Sequence, residues 1–390
     1  MRTVVIMSIL AAIFAVALVA NAGIVNENDA PHGKPMNLIV GFRDGIPQDI
    51  DENVKAHGAA VVSRNKDINF VVVDPKGRNP DDLMGEMKKH PKAEYVEYDY
   101  TATAFLDPND TYYSNQWGTQ DIFAPLAWNI TTGSPNVIVA IVDTGVDYNH
   151  PDLAANYITR GYDFINNDPD PMDDNGHGTH VAGIAAAITN NGVGIAGISQ
   201  STIMAEKVLN SAGSGSYSAV ANGIIHAANN GAKVISMSLG GSFSSYTLQN
   251  AVNYAWNKGV LIVAAAGNEN SGKISYPAAY PNVMAISALD PGDGFAYYSN
   301  HGKKIELAAP GTDIYSTLMG GGYGYKTGTS MATPFVSGSA ALVLSKNSTL
   351  TNSQVRKILD TTAIDLGTAG KDNYYGYGKV NVYGALQATP

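Results

Sequence analysis

The sequence contains no cysteine among its 390 residues. A disulfide framework, a thiolate metal site and a cysteine nucleophile are therefore excluded. Charged residues are also scarce, at 15% of the chain against about 25% in typical soluble domains, and no run of Lys and Arg exceeds two residues. Because the formal net charge is −10, the chain lacks the basic surface that binds phosphate groups, and nucleic acid is not expected as a partner.

The chain begins with an apolar run. Arg2 precedes the 17-residue stretch 4–20, and the small residues of the segment 20–22 are those that flank a signal-peptidase site. This pattern predicts a signal peptide at 1–22 and export from the cell. The alternative is an uncleaved anchor helix, because the stretch reaches the lower limit of a membrane-spanning length. After cleavage, no stable membrane association is expected.

Residues 23–105 form a second, more highly charged segment, with 14 acidic and 10 basic residues. Alternating apolar residues, separated by Pro-containing breakers, predict a small open sheet that carries two helices. The predicted strands are 37–42, 59–63, 69–74 and 93–98, and the predicted helices are 47–57 and 80–89.

Residues 106–390 show short apolar runs that alternate with helical stretches. Runs that are apolar on both faces indicate an α/β fold, in which a parallel sheet is covered by helices on both sides. Functional groups of such sheets lie at the carboxyl ends of the strands. The strand candidates are 137–142, 202–208, 234–238, 260–266 and 283–288, and the helix candidates are 181–188, 217–230 and 247–258.

Three polar loops carry the residues of a nucleophilic catalyst. The strand predicted at 137–142 leads into Asp143, which places a carboxylate at the end of a buried strand. His177 lies in a Gly-rich segment before a helix, and Ser330 opens a long apolar helix that tolerates Pro334 near its start. A Ser hydroxyl needs an imidazole to take its proton, and the imidazole needs a carboxylate to fix its tautomer. The loops together predict a Ser–His–Asp system.

Each of these residues also has another interpretation. The Asp-Thr-Gly motif at 143–145 occurs in aspartic proteases, but those enzymes need a second motif, and the sequence has none. His177 and His180 have the spacing of zinc ligands, yet no third imidazole or HExxH glutamate accompanies them. The segment around Ser330 is close to the nucleophile elbow of α/β-hydrolases, but there the His follows the Ser, and no His follows His301 here.

Five segments resemble the signature segments of one enzyme family. They read DTGVDYNHPDL at 143–153, NGHGTHVAG at 175–183, SMSLGG at 236–241, AAAGNE at 264–269 and GTSMATP at 328–334. Their order is similar to that of subtilisin-like serine proteases, in which the catalytic residues follow the order Asp, His, Ser. The resemblance covers nearly all of 106–390 and implies catalytic roles for Asp143, His177 and Ser330.

The resemblance also implies residues that bind the substrate. Asn268 matches the family's oxyanion-hole amide, which acts together with the Ser330 backbone N–H. Two segments match the strands that clamp an extended peptide, and a third lines a large apolar pocket for the residue before the scissile bond. The clamp residues are Gly213, Gly215, Ser238, Leu239 and Gly240, and the pocket residues are Ala265, Gly267 and Glu269.

Residues 23–105 resemble the inhibitory propeptide of the same family. The segment before Leu106 has small residues on one face and ends in Phe105, which implies self-cleavage between these two residues. The chain then divides into a signal peptide at 1–22, a propeptide at 23–105 and a peptidase domain at 106–390. The implied partners are protein or peptide substrates and the chain's own propeptide as inhibitor, and a monomer is expected.

The segment 143–174 holds eight aspartates and a single base, Arg160. Such a cluster repels itself unless cations bind, and carboxylates with carbonyl oxygens are the ligands that Ca²⁺ prefers. The resemblance implies two structural calcium sites, and the alternative is a set of Asp- and Asn-rich turns. The first set is Asp110, Asp152, Ile188, Asn191, Val193 and Ile195, and the second is Asp163, Asn166, Asp168 and Asp170.

The sequence therefore predicts a secreted serine endopeptidase, made as a self-processing zymogen, with a preference for large apolar residues before the scissile bond. A non-catalytic relative that only binds peptides is the alternative from another class. An esterase on the same fold is a third.

Overall fold

A computed structural model describes residues 37–99 and 107–390, which form two compact units. The predicted signal peptide at 1–22 and the predicted processing site at Phe105 and Leu106 lie outside the described residues. No helix in the described part of the chain is both long and apolar enough to cross a membrane.

The first unit is a four-stranded antiparallel sheet with two helices, and all six elements were predicted. The strand order is β2-β3-β1-β4. Asn79 caps α2 by accepting a hydrogen bond from the backbone N–H of Asp81, and Pro80 occupies the first turn, where its missing N–H does no harm. The elements are β1 Leu38–Phe42, α1 Ile50–Ala56, β2 Ala60–Asn65, β3 Phe70–Asp74, α2 Pro80–Met87 and β4 Ala93–Tyr98.

The second unit contains a seven-stranded sheet in which every pairing is parallel. The strands are β5 Ile138–Asp143, β6 Tyr162–Asp163, β7 Thr202–Lys207, β8 Val234–Met237, β9 Leu261–Ala265, β10 Met284–Leu289 and β11 Ile305–Pro310. Their order is β11-β10-β9-β8-β5-β7-β6, and a separate antiparallel hairpin joins β12 Ile314–Leu318 to β13 Gly322–Lys326.

Helices cover both faces of this sheet, as the apolar runs predicted. Alternate residues of β5 enter different cores: Val139 and Ile141 belong to one cluster, and Ala140 and Val142 belong to the other. The helices are α3 Trp117–Asp121, α4 Ala124–Trp128, α5 His177–Ala186, α6 Tyr217–Asn229, α7 Tyr246–Asn257, α8 Thr329–Lys346, α9 Asn352–Thr361 and α10 Val382–Ala388. The α/β class with a parallel sheet is confirmed.

The carboxyl ends of the central strands gather the predicted site residues. Asp143 is the last residue of β5, Ser238 directly follows β8, and Asn268 comes three residues after the end of β9. His177 and Ser330 are the first and second residues of α5 and α8, two helices that pack on each other. Parallel strands end at one edge of the sheet, so this topology brings distant parts of the sequence together.

Candidate active site

Asp143 and His177 are joined by a short hydrogen bond. Nδ1 of His177 lies 2.7 Å from Oδ1 of Asp143, and the carboxylate is fully buried. Oδ1 also accepts from the backbone N–H of Thr144 at 2.8 Å, which fixes the carboxylate. With its proton on Nδ1, the neutral imidazole presents Nε2 as an acceptor, which is the form that a general base requires.

The charge balance around His177 shifts its pKa. Burial opposes protonation, but the negative charge of Asp143 and its hydrogen bond outweigh that effect, so the pKa of His177 is raised. The positive charge of Lys326 acts in the opposite direction. The imidazolium that forms when the base takes a proton is therefore stabilised by Asp143.

Asp173, which sequence reasoning did not single out, organises the loop that leads into His177. Its carboxylate is buried and accepts five hydrogen bonds, which end the loop and begin α5. The donors are Thr144 Oγ1, Asn175 N, Gly176 N, Thr179 N and Thr179 Oγ1. An Asp shortly before a helical segment is a capping signal that could have identified this residue.

His180 has a structural role. Its ring is fully buried, and Nε2 lies 3.1 Å from the carbonyl oxygen of Gly324 in β13. Burial lowers the pKa of His180 to about 3, so the ring stays neutral. No cluster of three or more His, Cys, Asp or Glu side chains forms within residues 37–99 and 107–390, so the zinc interpretation finds no support there.

Ser330 and Ser238 hold each other through reciprocal hydrogen bonds. Ser330 Oγ donates to the carbonyl oxygen of Ser238 at 3.1 Å, and Ser238 Oγ donates to the carbonyl oxygen of Ser330 at 2.7 Å. Pro334, four residues later, has no N–H to donate to the Ser330 carbonyl, which leaves this oxygen free for Ser238. The nucleophile candidate thus lies against the predicted clamp segment.

Asn268 presents an amide N–H₂ beside Ser330. Its Oδ1 accepts from the backbone N–H of Thr329 at 2.8 Å and from Thr329 Oγ1 at 2.9 Å. The N–H₂ group is therefore turned away from Thr329. Ser330 lies in the first turn of α8, where backbone N–H groups lack intrahelical partners. The two residues can supply two donors to one oxyanion.

The two predicted clamp segments leave the strands that flank β5. Gly213 and Gly215 lie between β7 and α6, and Ser238, Leu239 and Gly240 follow β8. Gly213 has φ +71°, and a Cβ on Gly215 would lie 2.0 Å from the carbonyl oxygen of Val208. Both glycines are exposed, so their backbones can approach a peptide.

A side chain missed by sequence reasoning shapes the predicted pocket loop. Asn300 donates to Oε2 of Glu269 at 2.6 Å and to the carbonyl oxygen of Ala266 at 3.1 Å, and its own oxygen accepts from Glu269 N. Gly267 has φ +109°, and a Cβ there would lie 2.2 Å from Asn300 Nδ2. Ala265 is buried at the end of β9. Asn300 lies too far along the chain for any local pattern to indicate this role.

The first predicted calcium set comes together around the loop 188–195. Asp110 is buried; its Oδ2 accepts from Asn190 N at 2.7 Å, whereas its buried Oδ1 has no partner within the described residues. Asp152 accepts from Asn191 Nδ2 at 3.0 Å and from Ile195 N at 2.9 Å. Burial raises the pKa of Asp110 and raises that of Asp152 to about 6, so a bound cation would stabilise both carboxylates.

The carbonyl oxygens of the same loop fit this interpretation. Among the described residues, none of the hydrogen bonds uses the carbonyl oxygen of Ile188, Val193 or Ile195. The carbonyl oxygens of Gly192 and Gly194, in contrast, accept hydrogen bonds from Thr111 Oγ1 and Tyr112 N. Free carbonyl oxygens and an unpaired carboxylate oxygen form the hard donor set of a Ca²⁺ site.

The second predicted calcium set is arranged differently. Asp163 accepts from the backbone and side chain of Asn166, Asp168 accepts from Asp170 N, and Asp170 accepts from Tyr148 Oη at 2.7 Å. Each of these carboxylates accepts at least one hydrogen bond from the chain, and they do not form one group among the residues described. A second site here stays a prediction.

A Ser at a helix start, a His hydrogen-bonded to a buried Asp and an amide donor at the end of a parallel sheet are the groups of a serine hydrolase. Residues 134–378 match the Subtilase family, and residues 34–99 match the Fervidolysin N-terminal prodomain. The chain belongs to the subtilase family: it is a subtilisin-like serine protease with an N-terminal prodomain.

Three relatives show how far the similarity extends. The thermophilic serine proteinase of Bacillus sp. (strain AK1) is 43% identical over 385 residues, which cover 96% of this chain and 95% of that protein. Thermitase of Thermoactinomyces vulgaris is 49% identical over 282 residues, 72% of this chain and 99% of that protein. Halolysin of Haloferax mediterranei is 39% identical over 390 residues, which cover 96% of this chain and 75% of halolysin.

Proposed function

We propose that this subtilase is a secreted endopeptidase that cleaves peptide bonds through an acyl-enzyme on Ser330. The single observation that carries the catalytic assignment is the 2.7 Å contact between His177 and buried Asp143, with Ser330 at the start of α8 and Asn268 beside it. These groups supply a base, an orienting carboxylate, a nucleophile and an oxyanion donor.

The reaction begins when the Ser330 hydroxyl turns from the Ser238 carbonyl toward His177 Nε2, a contact that commonly tightens only when substrate binds. His177 takes the hydroxyl proton while Oγ attacks the scissile carbonyl. Asn268 Nδ2 and the Ser330 N–H stabilise the oxyanion, and His177 then protonates the leaving amine. Water repeats the sequence on the acyl-enzyme, and the acid product leaves.

The clamp and pocket residues support a preference for extended peptides. Exposed Gly213, Gly215 and Gly240 leave backbone groups available to pair with a peptide strand. The family resemblance adds Ala265 and Gly267 as the lining of an apolar pocket. Glu269 is exposed at this loop, but its carboxylate is already held by Asn300. A preference for large apolar residues before the scissile bond is part of this proposal.

The domain organisation is part of the proposal. We propose a signal peptide at 1–22, a propeptide at 23–105 that inhibits its own enzyme, self-cleavage between Phe105 and Leu106, and a monomeric, extracellular enzyme at 106–390. The prodomain match at 34–99 supports the propeptide assignment. N-terminal sequencing of the secreted product tests the cleavage site; a start well away from Leu106 contradicts it.

Structural Ca²⁺ completes the proposed function. Asp110, Asp152, Asn191 and free carbonyl oxygens of the loop 188–195 would hold the ion, which would supply stability rather than take part in peptide hydrolysis. The set fits because it offers an unpaired buried carboxylate oxygen and unused carbonyl oxygens.

A serine-directed fluorophosphonate separates the enzyme from a peptide-binding relative. The wild-type protein is expected to be labelled and the Ser330→Ala variant is not, because the variant lacks the proposed nucleophile. The exposed Ser242→Ala variant is the matched control and keeps its label. Equal labelling of wild type and Ser330→Ala contradicts the assignment. Parallel assays with a peptide and the corresponding ester test the esterase alternative.

A further inference from the structure

Lys207, the last residue of β7, is a charged side chain in the interior of the fold, where it is 1% exposed. Lysine is almost never buried to this extent unless its charge is paired. Its ammonium group has three N–H donors and no acceptor. Because each buried donor without an acceptor costs free energy, the groups around Nζ indicate what the buried charge does.

The ammonium group of Lys207 holds one oxygen atom in each of three segments. Nζ donates to the carbonyl oxygen of Thr144 at 2.8 Å, to that of Leu209 at 2.9 Å and to Oδ1 of Asp174 at 2.6 Å. Within residues 37–99 and 107–390, no other group donates a hydrogen bond to either carbonyl oxygen. All three donors are used, and both carbonyl oxygens depend on Lys207.

The three segments are those that build the candidate active site. Thr144 follows Asp143, and its backbone N–H donates to the Asp143 carboxylate at 2.8 Å. Asp174 lies in the loop that leads into α5, and Leu209 begins the segment that continues to the first two clamp glycines. In the described part of the chain, the Lys207 side chain makes no hydrogen bond to the triad itself. Its influence on the reaction therefore passes through these neighbours.

Thr144 connects the ammonium group to the catalytic carboxylate. Its hydroxyl is also bonded, because Oγ1 donates to Asp173 at 2.8 Å and accepts from Gly178 N at 2.9 Å. With its N–H, hydroxyl and carbonyl oxygen all bonded, Thr144 has one orientation, and its N–H orients Asp143. Catalytic groups must be held within about 0.5 Å of their productive positions, so loss of the carbonyl contact is expected to misplace the carboxylate.

We propose that Lys207 is a positioning residue for peptide hydrolysis. Through Thr144, its ammonium group sets the orientation of the Asp143 carboxylate, and through Asp174 and Leu209 it fixes the His177 loop and the clamp relative to that carboxylate. This proposal rests on the proposed endopeptidase function. A lysine that only stabilised the fold would leave the rate and the pH profile of the folded enzyme unchanged.

Replacement of Lys207 by Met tests the proposal, because Met removes the three hydrogen bonds and keeps an unbranched buried side chain. Well below its Tm, the kcat of Lys207→Met is expected to be about 10²-fold lower, the loss that a misplacement of about 1 Å can cause. Lys207→Arg keeps the charge and enough donors, so its kcat is expected to stay close to the wild-type value. The exposed Lys233→Met is the matched control. Thermal melting in a Ser330→Ala background shows which variants are folded. A folded Lys207→Met with wild-type kcat overturns the proposal.

The pH profile separates positioning from a direct effect of the lysine charge. The titratable groups that act on the charge of His177 are Asp143, Asp173, Lys326 and His180, and all are kept in these variants. A misplaced Asp143 raises the pKa of His177 less, so the acid limb of kcat/KM is expected to move to lower pH in Lys207→Met. Removal of a positive charge alone would move the limb to higher pH, and that direction overturns the proposal.

A second pair of variants decides the case if Lys207→Met does not fold. Asp174→Ala removes one acceptor of Lys207, whereas Asp174→Asn keeps an oxygen at that place, and this side chain is 47% exposed. A lower kcat is expected in Asp174→Ala than in Asp174→Asn, and equal values overturn the proposal.

NMR titration of His177 in the Ser330→Ala background needs no activity. Its pKa is expected to fall when Lys207→Met or Asp174→Ala is added, and an unchanged pKa contradicts the role of Lys207. If the wild type hydrolyses no peptide, the endopeptidase function itself fails, whatever the titration shows.

Discussion

At the residue scale, Asn268 is the proposed oxyanion donor, and its side chain is held in place. Thr329 holds its oxygen with two hydrogen bonds, and this contact orients the N–H₂ group without using it. A donor that is already oriented does not have to reorganise when charge develops on the substrate. The adjacent Gly328 has φ +154°, which lets the chain turn into α8 at this point.

Replacing Asn268 by Ala is expected to lower kcat on the order of 10²–10³-fold, the loss that removal of this kind of donor causes in subtilisin, itself a subtilase. KM is expected to change little, because the donor acts mainly on the transition state. Steady-state kinetics on one peptide substrate measure both values. The exposed Asn250→Ala variant on α7 is the control. A rise in KM at unchanged kcat would contradict the oxyanion role.

The charge of Asp143 has a consequence for the pH profile. Because Asp143 raises the pKa of His177, the Asp143→Asn variant is expected to hold the His177 proton less tightly. The acid limb of kcat/KM then moves to lower pH, and the maximal rate falls by about 10⁴-fold because the tautomer is no longer fixed. The Asp174→Asn variant, whose carboxylate pairs with Lys207, keeps the wild-type limb. If the acid limb of kcat/KM does not move in Asp143→Asn, Asp143 does not set the pKa of His177.

At the element scale, the sequence pattern predicts the elements that are built locally and misses those that depend on distant partners. The predicted run 234–238 is β8, and the predicted helix 217–230 is α6, within one residue at each end. Strand β11 was missed because Glu306 interrupts its apolar run, and the partner of Glu306 is Arg356 on α9. That ion pair joins residues fifty positions apart, so no local pattern reveals it.

Glu206 of β7 and His226 of α6 form a hydrogen-bonded pair of titratable side chains. His226 Nδ1 lies 2.9 Å from Oε1 of Glu206, whose side chain is fully buried. Burial raises the pKa of Glu206 to about 7, and the hydrogen bond with Glu206 raises that of His226. Glu206 holds its proton more tightly when folded, so its contribution to stability is complete below about pH 4.5 and is lost as the pH rises through about 7. The contribution of His226 is complete below about pH 6.5 and is lost at higher pH.

The Glu206→Gln variant tests this pair, in a Ser330→Ala background that prevents self-digestion. The difference in Tm between Ser330→Ala and Ser330→Ala/Glu206→Gln is expected to become smaller as the pH rises from 5 to 8. The stabilisation lost over this pH range is on the order of 2 kcal/mol, because one pKa unit corresponds to about 1.4 kcal/mol. In a domain of this size, that loss corresponds to roughly 4–8 °C in Tm. Thermal scans at several pH values measure the difference, with the exposed Asp313→Asn as control. A difference in Tm that does not change with pH would contradict the predicted titration of Glu206.

At the scale of the whole molecule, the α/β class follows from runs that are apolar on both faces, and these runs place Asp143 at the edge of the sheet. The assignment of Asn268 and the clamp needed the family resemblance, because an exposed Asn or Gly has no pattern of its own. Asp173 and Asn300 were not found. Asn300 bonds to a segment that only the folded chain brings near. Asp173 bonds mostly to its own loop and helix, so a local capping signal was present but not used.

The whole molecule has no disulfide, and its stability is expected to depend on Ca²⁺ instead. In the Ser330→Ala background, excess chelator should lower Tm, and each tenfold rise in free Ca²⁺ above the Kd should add about 1.4 kcal/mol to the free energy of unfolding. Asp110→Asn and Asp152→Asn should abolish most of this dependence, because each removes a carboxylate from the loop 188–195. Asp168→Asn, in the second predicted set, is the matched comparison. If its Tm depends on Ca²⁺ as in the parent protein, the effect belongs to the first set alone. If part of the dependence is lost, a second Ca²⁺ ion binds at the second set. If chelator leaves the Tm of the parent protein unchanged, structural calcium is excluded. The chain has a formal charge of −10, and its self-repulsion would then have to be balanced by its own hydrogen bonds.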